Sequence, residues 1–532
     1  MKKQFFVLLL GFSVLASPLL PFRMSIVYGS TSTGLSSLEE QIVGLANGTR
    51  AYGYDLQLEN IALAHPDFRS AGSIGALEAA NWIKAQFESF SLDAWLEPFT
   101  FKNWTLSEKP SLIIDEDGNQ STTSDQTVID SFQCEHYSWP TPDDGVFTDL
   151  VVLPLDDDWS SIDTTGKIVL IGREVQENKL VAKVRYQTPA AVVFTWWEDR
   201  KNFTPPLHYS AGGRPLSSYG SYFWDYHVPA GFVNYWDGLL IREKEGTNAA
   251  LSANVTIRAV IGDGTHYNVV GKIGGYANPE DIVIISSHYD TVMCAGFCDN
   301  GAGTAGIIEI AKVITDAINS GLYQPNRTLL FVAFTAEELY LVGSANYVAQ
   351  HKSEMANITA VINLDCIGSD YLYVTNTPYS DLAQRIINAS QDLGISINVE
   401  EPGGSDQESF RTPNSIKNAI SSYWGVNLGI SDATPVPSSV MLCSYPLFYS
   451  DLWTMGEAGW IHTAYDNSTT PNWVELKDLE DHIKVALLVT IRESPNLIPE
   501  LTPLAIITTL VTSTVIVYFL TKKRILRRQK LI

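Results

Sequence analysis

The sequence predicts an α/β fold: a mixed, mostly parallel sheet flanked by helices, with a β-rich insertion in its first half and an apolar C-terminal helix. Three short apolar runs, 282–287 (IVIISS), 328–335 (TLLFVAFT) and 360–364 (AVINL), read as strands buried on both faces of a parallel sheet. Behind the first, Ile307, Ile310, Ala311 and Ile314 recur at helical spacing, so a helix follows the strand. Between about 126 and 250 the texture changes to short apolar strands broken by Pro and Gly.

The elements follow in chain order. Met1-Lys2-Lys3, the apolar Phe5 to Leu15 and the small Ala16-Ser17 read as a secretory signal within residues 1–30, an uncleaved anchor being the alternative. Residues 31–125 form the first part of the main domain. Ser36 to Leu63 reads as helical, and Leu77, Ala80, Trp82, Ile83 and Phe87 mark an amphipathic helix within 68–90. The insertion, 126–250, holds apolar segments at 166–173, 189–197 and 228–246, with a helix between the first two. It is dense in aromatics, Trp196, Trp197, Tyr222, Phe223, Trp224 and Tyr226 among them, which serve a core or a lid. The main domain resumes over 251–495, opening with an edge-like hairpin at 265–275. Residues 501–520 carry no charge and have the length of a bilayer span, and a basic tail follows over 521–532 (Lys522, Lys523, Arg524, Arg527, Arg528, Lys530). Basic residues stay on the cytoplasmic side, so the expected location is the cell membrane, single-pass, with the body outside. N-x-S/T sequons at Asn47, Asn103, Asn202, Asn254 and Asn357 are compatible with an exported, glycosylated body.

Composition narrows the function. The 532 residues, 45% of them hydrophobic, are enough for a large core. A net charge of −24 and a pI near 4.7 exclude nucleic acid as partner, since that needs a basic footprint.

The chemistry collects at strand ends, where an open parallel sheet binds its ligands. His288, Asp290 and Asp299 follow the first apolar run, Glu337 and Glu338 the second, and Asp365 the third, while His462 and Asp466 lie in GWIHTAYDN. Imidazoles and carboxylates are ligands for zinc, and a bridging carboxylate lets two ions share one site, so the inventory fits a dinuclear centre. GAGTAG at 301–306 is formally a G-x-G-x-x-G, but a loop with three ionisable side chains separates it from its strand, and Asp299 would repel a pyrophosphate. A solvated acidic helix start explains Glu337-Glu338 taken alone. Five ligand types in one consistent order at strand ends outweigh that reading.

HYD, CDNGAGTAG, AEELYLVGS, NLDCIG and IHTAYD, in that order, resemble the five metal-site motifs of the M28 family of zinc aminopeptidases and carboxypeptidases. The resemblance implies a zinc-exopeptidase (phosphorylase/hydrolase-like) fold and two Zn2+ per chain. It makes Asp299 the bridging ligand, with His288 and Asp365 completing one metal and Glu338 and His462 the other. Glu337 matches the general base, and Asp290 the carboxylate that fixes the tautomer of the first histidine. The insertion resembles a protease-associated (PA) domain, on strand pattern. GGSDQESF at 403–410 resembles a stretch that usually reads SDH, with Gln407 in place of histidine; Asp406 and Arg411 there are candidate substrate contacts, as is Tyr449, with Tyr445 beside it.

Five cysteines are present, Cys134, Cys294, Cys298, Cys366 and Cys443, and Cys294 with Cys298 are close enough in one loop for a disulfide. Two thiols are too few ligands for a third metal site. The implied activity is a membrane-anchored, extracellular metallo-exopeptidase acting on peptides. Acids outnumber arginines around the site, which favours holding a substrate's N-terminal ammonium, hence an aminopeptidase. A carboxypeptidase, a glutaminyl-cyclase-type acyltransferase with one zinc, and a non-catalytic receptor-like ectodomain are the alternatives, and the intact ligand set opposes the last.

Overall fold

In the computed structural model the described residues are 34–154, 159, 161–172, 187–195, 227–247, 251–375, 381–400, 404–430, 434–445 and 461–497. Three helices lead in: α1 (Ser37–Val43), α2 (Gly48–Leu63) and α3 (Ile74–Ser89). Each starts where a short polar side chain accepts a backbone N–H that the helix itself leaves unpaired: Ser36 from Glu39, Asn47 from Arg50, Ser73 from Ala76. The helix expected over 36–63 is therefore two helices, split at Gly44.

The long strand β1 (Asp93–Leu106) is followed by β2 (Ser111–Asp115), β3 (Gln126–Val128), β4 (Gln133–Cys134), β5 (Val146–Leu153), β6 (Ile168–Gly172), β7 (Ala191–Thr195), β8 (Ala230–Phe232), helix α4 (Tyr235–Thr247) and β9 (Ser252–Thr256). Strands β2 to β9 form one eight-stranded sheet in the order β3-β2-β9-β5-β6-β7-β8-β4. Its limits correct the expected insertion at 126–250. Strand β1 pairs antiparallel with β10 (Ala259–Ile273) until Leu106 faces Ala259, so the chain leaves the main sheet at 106 and returns at 259. The apolar segment at 228–246 is mostly the helix α4, not strand. The helix expected between 173 and 189 falls largely outside the described residues, as do Trp196, Trp197, Tyr222, Phe223, Trp224 and Tyr226.

The main sheet continues through β11 (Asn278–His288), α5 (Gly303–Asn319), β12 (Arg327–Phe334), α6 (Val342–Gln350), β13 (Ile358–Leu364), β14 (Tyr371–Thr375), α7 (Asp381–Leu393), β15 (Ile397–Glu400), α8 (Gln407–Arg411), α9 (Pro413–Trp424), β16 (Ser439–Tyr445) and α10 (Leu476–Glu493). Its order is β1-β10-β12-β11-β13-β16-β14-β15, with β12, β11, β13 and β16 mutually parallel. The sheet is mixed and flanked by helices. Strand β10, expected at an edge, runs inside it between β1 and β12.

Both faces are covered, which is why the central strands are apolar throughout. Val283 and Ile285 join one core with residues of α2, α3, α5, α7 and α10. Ile282 and Ile284 point the other way, into a core with Tyr347 and Val348 of α6 and Phe410 of α8. Helix α5 is buried on nearly every side and still carries Glu309, whose carboxylate takes two hydrogen bonds from Arg50 (2.6 and 2.7 Å) and one from the Asn47 N–H at 2.8 Å. A buried charge paired in this way pins α2 to α5.

The signal at 1–30, the apolar stretch at 501–520 and the basic tail lie outside the described residues. Among the described residues no helix is long and apolar enough to cross a membrane. On that ground the expected single-pass membrane location is corrected: it has no support.

Candidate metal centre

Three neighbouring parallel strands deliver candidate ligands from their carboxyl ends. Strand β11 ends on His288, β12 leads into Glu337 and Glu338, and β13 leads into Asp365. His462 reaches the same place from the segment that precedes α10, with a left-handed backbone (φ 58°). Asp299 arrives on the turn before α5. Asn300 next to it binds that turn to the end of β13, donating to the Leu364 carbonyl (2.9 Å) and accepting from the Gly303 and Cys366 N–H groups (3.0 and 3.1 Å).

The two oxygens of Asp299 face two different histidines. Oδ1 lies 3.2 Å from His288 Nε2, and Oδ2 lies 3.0 Å from His462 Nε2. His288 Nε2 is also 3.5 Å from Asp365 Oδ1, and His462 Nε2 is 3.2 Å from Glu338 Oε1. Thus His288, Asp299 and Asp365 make one cluster and Asp299, Glu338 and His462 a second, each with its ligand atoms within 4.8 Å of one another. For bonds of roughly 2.0–2.2 Å, tetrahedral zinc puts its ligand atoms about 3.3–3.6 Å apart, the range these contacts approach. The donor set is the nitrogen and oxygen set zinc takes, and Glu338 Oε1 is buried with no hydrogen-bond partner. The residues fit a shared two-ion site.

Electrostatics agree. Burial, with Glu338 and Asp365 nearby, pushes the Glu337 carboxyl well above its usual range, and burial lifts Glu338 to about 6. Against the burial penalty, hydrogen bonds to His288 and His462 hold Asp299 low. So many acids in one dry space need cationic compensation.

Asp290 is fully buried and touches both halves of the site. Its carboxylate accepts from the Glu337 and Glu338 N–H groups (3.2 and 3.4 Å), while Oδ1 stands 3.7 Å from His288 Nδ1. The His288 Nδ1 lies nearer the Asp290 carbonyl, at 3.2 Å. Asp466 was visible in the sequence, but its task was not: it accepts from Cys298 N–H (2.7 Å), Asp299 N–H (3.2 Å) and Trp473 Nε1–H (2.8 Å), so it holds the backbone at Asp299. Two further residues went unnoticed. Trp424 of α9 donates to the Leu339 carbonyl (3.0 Å) beside the Glu337-Glu338 turn, and Arg69 lies behind the loop after His288.

The remaining expectations fare differently. Asp406 is fully buried near His288, with its carboxyl raised to about 7 by burial. Gln407 is buried, its Oε1 3.5 Å from Asn363 Nδ2. Arg411 is exposed, and its fork donates twice to Glu408 at 2.7 Å. Tyr449 and the Tyr445 side chain lie outside the described residues. The Cys294–Cys298 disulfide is corrected: none of the five cysteines, all buried, is in a disulfide. The left-handed turn at Gly296 separates the two thiols, sending Cys298 against Cys366 and leaving Cys294 by Arg69. Cys366 also donates to Asp365 Oδ1 at 3.2 Å.

Residues 268–487, which contain every candidate ligand, match the model of peptidase family M28. The chain is 34% identical over 128 residues to the Glutamate carboxypeptidase 2 homolog of Caenorhabditis elegans, covering 24% of this chain and 16% of that one. It is 26% identical over 266 residues to Aminopeptidase YwaD of Bacillus subtilis, covering 47% of this chain and 51% of that one. It therefore spans about half or less of these two relatives. The solved structure of BSAP, a zinc aminopeptidase from Bacillus subtilis, shares the fold with TM-score 0.60 at 20% identity, covering 85% of this chain and 95% of that one. The motif match and the strand-end carboxylates and histidines thus fall in one segment, residues 268–487, and it is this segment that matches peptidase family M28.

Proposed function

We propose that this chain is a dinuclear zinc aminopeptidase that releases N-terminal residues from peptides. The observation that carries the reading is Asp299, whose two oxygens each face a different histidine. His288, Asp299 and Asp365 would hold one zinc, and Asp299, Glu338 and His462 the other. Zinc supplies a Lewis acid for the scissile carbonyl and a lowered pKa for the attacking water.

The protein's own groups do the rest. Glu337 sits next to a ligand without belonging to either cluster, so its carboxylate takes the proton of the attacking water and returns it to the leaving amine. Asp290 aligns that carboxylate through two backbone N–H groups and keeps His288 oriented. The second eight-stranded sheet is read as a PA-like insertion.

The end of the peptide recognised follows from charge. A terminal carboxylate would call for a free guanidinium, and the fork of Arg411 is already taken by Glu408. Acids around the site instead suit an ammonium group. Two peptides of one sequence test this, one N-acetylated and one C-amidated. The amidated peptide should be cleaved like the free one and the acetylated one spared; the reverse pattern makes the enzyme a carboxypeptidase.

A further inference from the structure

Residues 289–296 lie between two ligands, His288 and Asp299, and have no helix or strand to hold them. A buried segment of this kind must place its backbone groups elsewhere. Three of its carbonyls go to one side chain. Arg69, fully buried in the turn between α2 and α3, donates from Nε to the Tyr289 carbonyl (2.8 Å), from Nη1 to Ala295 (2.9 Å) and from Nη2 to Gly296 (2.9 Å). Nη1 also donates to Leu58 of α2 at 2.9 Å, and the Arg69 carbonyl accepts the Thr291 N–H at 3.3 Å. The fork thus grips both ends of the segment and ties them to α2.

We propose that Arg69 is a positioning residue for the metal centre, fixing where Asp299 stands relative to His288 before any metal binds. The inference rests on reading the site as a two-zinc centre. Three features support it beyond the contacts. The planar guanidinium offers divergent donors that a lysine ammonium lacks, so the charge alone would not reproduce the grip. A fully buried arginine spending its hydrogen bonds on carbonyls, with the buried carboxylate of Asp55 on α2 among the charges around it, is costly unless geometry is what it provides. The grip ends on Gly296, a left-handed turn where a Cβ would come 2.6 Å from the Asp299 carbonyl oxygen, so the held point and the bridging ligand are in contact. Arg69 lies outside residues 268–487, so the ligand set depends on the preceding helices.

Hydrogen exchange on the whole chain, with and without chelator, tests the proposal together with zinc titration of Arg69→Lys. In the metal-free wild type the amides of Cys298, Asp299 and Gly301, whose acceptors are all protein atoms, should stay protected. Arg69→Lys should lose that protection while the main sheet keeps its own, and its zinc dissociation constant should rise by about 10-fold to 100-fold. At saturating zinc, kcat should recover with KM unchanged. Wild-type exchange and zinc affinity in folded Arg69→Lys would overturn the proposal. So would loss of protection at 298–301 in the metal-free wild type, which decides the matter even if the variant does not fold. A wild type that binds no zinc would defeat the metal reading instead, leaving the exchange result to judge Arg69 separately.

Discussion

Asp290→Asn is a nearly isosteric change whose cost can be worked from the contacts. The carboxylate accepts from Glu337 N–H at 3.2 Å and Glu338 N–H at 3.4 Å, in a fully buried position. A hydrogen bond to a charged acceptor contributes about 1.5–3 kcal/mol and a neutral one about 0.5–1.5, while a buried donor left unpaired costs about 1–3. The asparagine keeps one neutral bond and turns its NH2 toward the other N–H. Both native bonds are long, which places the loss at the low end, about 2 kcal/mol. At about 1.4 kcal/mol per tenfold, that is roughly 30-fold in the equilibrium holding the Glu337-Glu338 turn in place. Zinc affinity, measured by competition with a chelator of known affinity, should fall by about 10-fold to 100-fold, as for other residues that orient ligands. Turnover at saturating zinc should fall too, because the same bonds aim Glu337. A folded variant with zinc affinity and kcat within about twofold of wild type would refute the role given to Asp290.

Three other outcomes are expected. Glu337→Gln should keep its metal and lose turnover by about 10² to 10⁴, and near-normal turnover would remove Glu337 as the base. Arg50→Met strands the buried Glu309 carboxylate; because Arg50 is 33% exposed, the cost in urea unfolding should sit near the low end for a broken buried pair, about 3 kcal/mol, and a change under about 1 kcal/mol would contradict the pairing. His482 accepts the Gly368 N–H on Nδ1 (2.9 Å), and burial drops its pKa to about 3, below the unfolded value of about 6.5. Between those values only the unfolded chain takes the proton, so this histidine makes stability fall with falling pH, by about 1.4 kcal/mol per unit. His482→Gln should flatten the fall by that amount between pH 6 and 4; identical slopes would contradict it.

Among the candidate metal ligands, His288, Glu338 and Asp365 were legible because each follows an apolar run, and a strand buried on both faces has an unmistakable composition. The run 282–287 is covered by cores on opposite sides, so its strand state and its exit at His288 follow from residue type alone. What lay hidden depends on residues remote in the chain. Arg69 meets Tyr289 across 220 positions, and no local pattern announces such a contact. Cys298 packs on Cys366 instead of Cys294 because Gly296 turns the chain, which spacing does not reveal. Strand β10 read as part of an edge-like hairpin; yet its Asn268 is buried, bonding Gly343 O (3.0 Å) and Thr335 N–H (3.3 Å) beside the Glu337 turn. The limits of the second sheet were misplaced because β2 looks like any other short strand until its partner β9, some 140 positions on, is known.

One carboxylate, Asp299, is proposed to serve two metal ions. Elemental analysis of purified active protein, set beside Asp299→Asn, tests it most directly. About two zinc ions per chain are expected in the wild type, with loss of both in the variant, since each cluster contains that residue. One zinc per chain in fully active protein, or an Asp299→Asn variant that still holds two, would contradict it.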